Sequence, residues 1–339
     1  MTTQTAPPAW LTELLGSAPS VEGFTAHGRK LVLDGAIVRS VETVSAEQRQ
    51  TSDAFGFKWH KRETFESEAS LERTRTWLLE RYGDVPAAAF WDELPERPLL
   101  LDAGCGAGMS TLALFEPVLG RVRYLGADIS DAVDVAAARF VEHGLEGAFL
   151  QADLTQLPLP EGSVDVIFSE GVLHHTDSTR GALHALARLL APGGRFLFYV
   201  YRRKGPIREF TDDYLRDRLQ GMSPDEAWEA LVPLTKLGKV LGDMQVTVDV
   251  PEDIELLQIP AGKIDLQRLF YWHVFKAFHR PDFTLEELNH LNYDWYAPRN
   301  AHRQSPEEVR AWCAEAGLAI ERERVEEAGI TVIARREGR

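Results

Sequence analysis

Cysteine is nearly missing from this chain. Cys105 and Cys313 are the only two in 339 residues, too few for a disulfide framework or a four-thiolate zinc site. Apolar runs are short as well, none approaching the roughly 18 uninterrupted residues that a membrane span needs. Positive charge is in deficit: 37 Lys and Arg against 52 Asp and Glu give a formal charge of −15, with a pI near 5.2. That balance argues against broad binding to nucleic acid or an anionic membrane, both of which need a positive face, but it leaves room for a local basic pocket. No internal repeat or low-complexity segment occurs. The amino terminus, MTTQTAPPAW, has neither the basic start nor the apolar run of a signal peptide. His279, His302 and the acids near them show no metal-ligand spacing. The expectation is a soluble cytoplasmic protein with no metal and no nucleic-acid or membrane partner, free to form a homo-oligomer.

What is present is ordinary globular composition, 44% hydrophobic and 26% charged, at a length that suits one core with a substantial insertion. Residues 1–70 read as an amino-terminal extension. LVLDGAIVR (31–39) places Asp34-Gly35 between two apolar runs, a short-hairpin signal, and FGFKWHKRETF (55–65) is dense in aromatics and bases. A helix is expected at about 69–82, with Leu71, Leu78 and Tyr82 on its apolar stripe and Gly83 as its stop. From residue 98 strands alternate with helices: LLLDA (99–103), RYLGAD (123–128), GAFLQAD (147–153), VDVIFS (164–169) and RFLFYVY (195–201). Such alternation implies right-handed βαβ units, a parallel sheet and helices on both faces. Residues 71–201 therefore form the expected core. Capping boxes at Ser223–Glu226 and Thr284–Glu287 predict a mainly helical insert over 202–303. A third, Ser305–Glu308, opens a final helix and strand pair over 304–339. An insert at that point can cover the carboxyl ends of the strands, where open α/β sheets bind ligands.

The sharpest motif is Asp102-Ala103-Gly104-Cys105-Gly106-Ala107-Gly108, between a buried strand and a helix. Glycines let the backbone approach a ligand closely, and a helix amino terminus adds donors. A dinucleotide fingerprint, G-x-G-x-x-G, would put its third glycine at Met109, so that reading fails on spacing. Asp128, about 20 residues on, can accept ribose hydroxyls. Asp153 ends the third strand, where its side chain or adjacent backbone can receive an exocyclic adenine amine. Together these residues make a nucleoside pocket. Alternatively, the two acids merely cap Ser130 and turn residues.

At LLLDAGCGAGMS, YLGADIS, QADLTQLPLP, DVIFSEGVLHHT and LLAPGGRFLFYVY the chain resembles the class I S-adenosylmethionine-dependent methyltransferases. The resemblance covers about 95–201 by motif and 305–336 by topology. It implies a Rossmann-like fold with strand order 3-2-1-4-5-7-6, the last strand antiparallel, and a helical lid. It also implies S-adenosyl-L-methionine as cosubstrate. Gly104, Cys105 and Gly106 would meet the methionine moiety, Asp128 with Ile129 the ribose, and Asp153 with Leu154 the adenine. Asp102 would anchor the loop or receive the amino group, with Ser169 or Glu170 bordering the site. FGFKW, VYRRKGPIREFTDDYLRDRL and DWYAPRNAHRQSPEEV are similar to segments of a branch of this superfamily. Some members of that branch carry a small zinc module before the FG-x-x-W segment, but no cysteine precedes Cys105 here.

Methyl transfer from a sulfonium is an in-line displacement in which the cofactor carries the hard chemistry and the protein supplies alignment. Base candidates are Glu170, His174, His175, Tyr199 and Tyr201, with at most one of the adjacent histidines expected to enter the pocket. The alternative is that the histidine pair, common after strand four in the family the chain resembles, is not a base. Lys58, Trp59, Tyr199, Arg202, Tyr296 and Arg299 are expected to meet the acceptor. Basic clusters at 58–62 and 202–208 favour a small, anionic acceptor with an O, N or S nucleophile, unless they simply pair with Glu209, Asp212 and Asp213. The alternatives are a non-catalytic S-adenosylmethionine-binding regulatory module and, further off, a dinucleotide-dependent oxidoreductase.

Overall fold

The computed structural model describes residues 6–338; the first five residues of the expected extension lie outside them. The extension begins with helix α1 (Ala9–Leu15) and an antiparallel meander, β1 (Phe24–Ala26), β2 (Arg29–Asp34) and β3 (Ile37–Ser40). The expected Asp34-Gly35 hairpin joins β2 to β3, with Gly35 at φ 61°. β3 then continues the main sheet, because its Ile37, Val38 and Arg39 run parallel to residues 149–151. Arg39 fixes that edge with hydrogen bonds to Asp34, Asp134 and Gln151. The aromatic and basic stretch is the end of a helix, α2 (Ala46–His60), capped by Ser45. Helix α3 (Glu68–Tyr82) follows at the expected place and stops at Gly83. Leu78 and Tyr82 of the expected stripe are buried, but Leu71 is exposed and Ser70, Thr74 and Arg81 share the buried face instead.

The alternating region folds as read: β4 (Leu99–Ala103), α4 (Met109–Leu119), β5 (Arg123–Asp128), α5 (Ala132–Glu142), β6 (Ala148–Gln151), β7 (Val164–Glu170), α6 (Thr179–Leu189) and β8 (Leu190–Tyr201). β4 is wholly buried, with Leu99 and Leu101 in one apolar cluster and Leu100 in the other, as a strand covered by helices on both faces requires. The insert holds α7 (Pro206–Leu219), α8 (Pro224–Asp243), a small hairpin of β9 (Thr247–Val250) and β10 (Gly262–Asp265), α9 (Leu266–His273) and α10 (Leu285–Tyr296). α11 (Pro306–Glu315), β11 (Leu318–Val325) and β12 (Gly329–Arg336) close the chain.

The ten-stranded sheet runs β1-β2-β3-β6-β5-β4-β7-β8-β12-β11. From β6 onward this is the 3-2-1-4-5-7-6 order, with β12 antiparallel to β8. All three capping boxes form. The one at α10 does more than cap: buried Glu287 also accepts from Ser67, the cap of α3, and so fastens the insert to the extension. Removing a buried carboxylate strands its donors, at about 1–3 kcal/mol. Glu287→Ala should lower the unfolding free energy in urea by that much, while Glu226→Ala at the exposed box of α8 should change it far less.

Candidate active site

The turn after β4 is held open by conformation. Gly104, Gly106 and Gly108 have φ of 89°, 49° and 71°, a region that side chains resist. A Cβ on Gly104 would collide with Val172, and one on Gly106 would come within 2.8 Å of the Trp59 indole nitrogen. α4 begins directly behind, at Met109. The Gly106 N–H donates to Asp128 Oδ2 at 2.8 Å, which ties the turn to the end of β5. Asp128 Oδ1 accepts from the Ser130 N–H and hydroxyl at 2.8 and 2.7 Å. Asp153 Oδ1 similarly accepts from the Thr155 N–H and hydroxyl, both at 2.7 Å. The local capping roles are therefore filled. Carboxylate oxygens have about four acceptor sites, so Asp128 keeps room at Oδ2 and Asp153 an entire oxygen. Both line a deep cavity above the strand ends, with Gly104, Met109, Ser110, Ile129 and Leu154.

The glycine cradle, the helix amino terminus and two acids with spare acceptor capacity together fit a nucleoside with a charged amino-acid tail. A family model described as a methyltransferase domain matches residues 101–198, the segment that builds this cradle and the four core strands after it. Residues 101–198 form a methyltransferase domain similar to those of the class I S-adenosylmethionine-dependent enzymes. The chain is 37% identical over 146 residues to an uncharacterized methyltransferase, YcgJ, of Bacillus subtilis, an alignment covering 41% of this chain and 56% of that one. It is 32% identical over 139 residues to a malonyl-[acyl-carrier protein] O-methyltransferase of Serratia marcescens, covering 41% and 49%. The chain thus spans about half the length of these curated relatives. Among solved structures, the Burkholderia thailandensis 1,6-didemethyltoxoflavin-N1-methyltransferase aligns over 91% of this chain and 96% of that one, at 15% identity and a TM-score of 0.46.

Within this methyltransferase domain, several expected site residues stand behind the cavity wall. Asp102 is buried and accepts from Thr111 and from the Tyr124 hydroxyl (3.0 Å), so it braces the turn from below. Burial raises its pKa to about 7 against the pull of those two donors. Cys105 is buried beneath the turn, with burial pushing its thiol well up. Ser169 donates to the Ala103 carbonyl at 2.8 Å and does not reach the cavity. Glu170 does reach it, locked against Arg81 and the Tyr82 hydroxyl (2.6 Å). His175 lines the cavity; His174 lies behind, against the Tyr201 ring with centroids 3.6 Å apart. Lys58, Trp59, Tyr199 and Tyr201 line the same cavity.

Three expected acceptor residues point elsewhere. Arg202 turns toward the Glu326 carbonyl, 3.4 Å away, beside the turn between β11 and β12. Tyr296 faces α7, donating to Asp212 at 3.1 Å and accepting from the Lys276 N–H at 2.7 Å. Arg299 gives its main-chain N–H to Gln50 on α2 (2.7 Å), so its side chain faces outward to Asp217 (2.8 Å). In their place stand residues the sequence reading passed over: Arg73 and Trp77 from α3, Lys276 after α9, and His290 and Asp294 from α10. Asp294, its side chain partly exposed to the cavity, pairs with buried Lys58 and lies 3.4 Å from the Tyr201 hydroxyl. Burial alone would raise Asp294, but Lys58 and Lys276 override it and hold it below the usual carboxylate range.

The raised pKa of Asp102 has a signed consequence. The folded state keeps a proton up to about pH 7 that the unfolded chain loses near pH 4. Its contribution is complete below the unfolded value and lost as pH rises through about 7. The stability gap between wild type and Asp102→Asn, measured by urea denaturation, should therefore shift in favour of the variant between pH 4 and pH 7 and stay level above pH 8.

Proposed function

We propose that the chain transfers the methyl group of S-adenosylmethionine to a small molecule enclosed beneath α2, α9 and α10. The observation that carries this is one cavity lined by both the glycine-turn acids, Asp128 and Asp153, and the aromatic face of the insert, Tyr271, Trp272 and Trp295. The turn from Gly104 to Ser110 would hold the amino-acid tail. Asp128 would hold a ribose hydroxyl at Oδ2, with Ile129 beside it, and Asp153 with Leu154 would take the adenine. Bound there, the donor supplies a methyl carbon on a positively charged sulfur.

What remains for the protein is alignment, exclusion of water and, for an acceptor that must lose a proton, a base. Orientation alone gives on the order of 7–11 kcal/mol. For the base, His175 is the candidate whose ring borders the cavity with an unpartnered nitrogen. Its Nδ1 lies 2.6 Å from the Asn300 carbonyl, which can only accept, so the ring proton sits on Nδ1. Nε2 is then a bare lone pair with no partner among the described residues. Burial lowers the ring to about 4, partly offset by Asp294, so the imidazole is neutral across the physiological range and its Nε2 lone pair is free. Tyr201 is a poorer base, because burial and Asp294 push its hydroxyl well up.

Two outcomes follow for solution measurements. S-adenosylhomocysteine at 100 times its dissociation constant should add about 2.7 kcal/mol of stability, read as a higher melting temperature. NADH should add none, and Asp128→Ala should lose the gain. A melting rise with NADH alone would overturn the reading. In a labelled-methyl assay, His175→Gln should lower kcat by about 10²–10⁴ with homocysteine-form binding unchanged; an unchanged kcat would remove the histidine from the chemistry.

A further inference from the structure

The cations around the cavity divide into two sets. Lys58 is paired with Asp294, Arg81 with Glu170 and Arg208 with Asp212. Arg73, Lys204 and Lys276 have no carboxylate within ion-pair distance among the described residues. Arg73 contacts only ring faces, its guanidinium carbon lying 5.2 Å from the Trp77 centroid and 4.9 Å from that of Phe278. The Lys276 ammonium, on a residue 8% exposed, is held by the Leu291 carbonyl at 2.8 Å. The Lys204 ammonium is held by the carbonyls of Glu327 and Ala328.

These groups also press on one another. Arg208 acts against both lysines, and Arg73 acts against Lys276. Lys204 is faced in addition by Arg202, Asp212 and Glu209, and Lys276 by Asp294 and Asp212. The nearby acids do not cancel the excess, since burial still brings Lys204 and Lys276 down to about 7 and Arg73 down to about 10. Taking charges out of water without partners is costly, and an anion entering the cavity would remove that cost. The remaining lining is flat and aromatic: Trp77, Tyr199, Tyr271, Trp272 and Trp295. Lys276 and Lys204 stand 4.9 and 5.9 Å from the Trp295 centroid, so positive charge and ring faces share one space.

We infer that the acceptor is an aromatic acid, a planar ring carrying a carboxylate or phosphate that docks against Arg73, Lys204 and Lys276. This rests on the proposed methyltransferase reading for its other half, the donor. Arg73 supplies the planar fork of donors that suits a two-oxygen anion. The ring lies among the insert's aromatics and presents its nucleophile toward the glycine turn.

Calorimetric titration of the full chain separates the two proposals. The probes are benzoate, 2-naphthoate and 2-naphthyl phosphate, with benzamide and 2-naphthamide as neutral partners, each with and without saturating S-adenosylhomocysteine. At least one acid should bind tenfold or more tightly than its amide at pH 7, with the carboxylate and phosphate arms telling which anion is preferred. Arg73→Gln should cut that preference to threefold or less, Arg73→Lys should restore part of it, and homocysteine-form affinity should not change in either variant. No acid outbinding its amide, including no heat from any probe, would overturn the inference, as would an acid preference that survives Arg73→Gln. Failure of S-adenosylhomocysteine to bind would instead overturn the donor reading, because the probe titrations without it still test the anion site.

Discussion

Lys58 and Asp294 come from opposite ends of the chain and meet inside it. One is near the end of α2 in the extension, the other on α10 in the insert. Deleting Asp294 would leave Lys58 a buried charge without its partner, which is costly. The pair therefore sets how the two flanking segments lie over the strand ends, and with them the cavity's upper wall. Neighbouring contacts agree with it: Gln48 reaches the His175 carbonyl, Gln50 the Ala297 carbonyl, and Thr51 accepts from the Asn300 N–H. α2 thus positions the histidine from one side and the 297–300 segment from the other.

The lower half of the site obeys a different constraint, backbone shape. A turn with three left-handed glycines can be read from a sequence, because only a few residue types tolerate the conformation. Buried parallel strands are legible for a similar reason: covered on both faces, they become unbroken apolar runs such as Leu99-Leu100-Leu101. The capping boxes were legible because their hydrogen bonds are local. These features account for the core, its strand order and the helical character of the insert.

The acceptor half was mostly illegible, and α3 shows why. Its apolar residues suggested a buried stripe through Leu71, yet the face turned inward carries Thr74, Arg81 and, on the cavity, Arg73 and Trp77. A helix that lines a polar cavity also buries polar residues, so apolar periodicity found Leu78 and Tyr82 but missed the rest of the inward face. α2 is the same case, with Gln48, Thr51 and Lys58 buried, and no helix was expected there. Tyr296 and Arg299 failed differently. Being aromatic or basic near the site did not decide which way a side chain pointed; Tyr296 was taken by Asp212 and Arg299 by Asp217.

The amino-terminal meander looks at first like an ornament on the sheet's edge. Because β3 runs parallel to β6, however, it delivers the chain to the same rim at which β4, β5 and β7 end. α2 is thereby rooted on one side of the opening. The 302–304 segment is pinned to the other side by main-chain bonds to His174 and Tyr201. The roof is consequently two half-shutters rooted separately on one sill, and a salt link crosses their hydrogen-bonded seam next to the place where charge is expected to change hands.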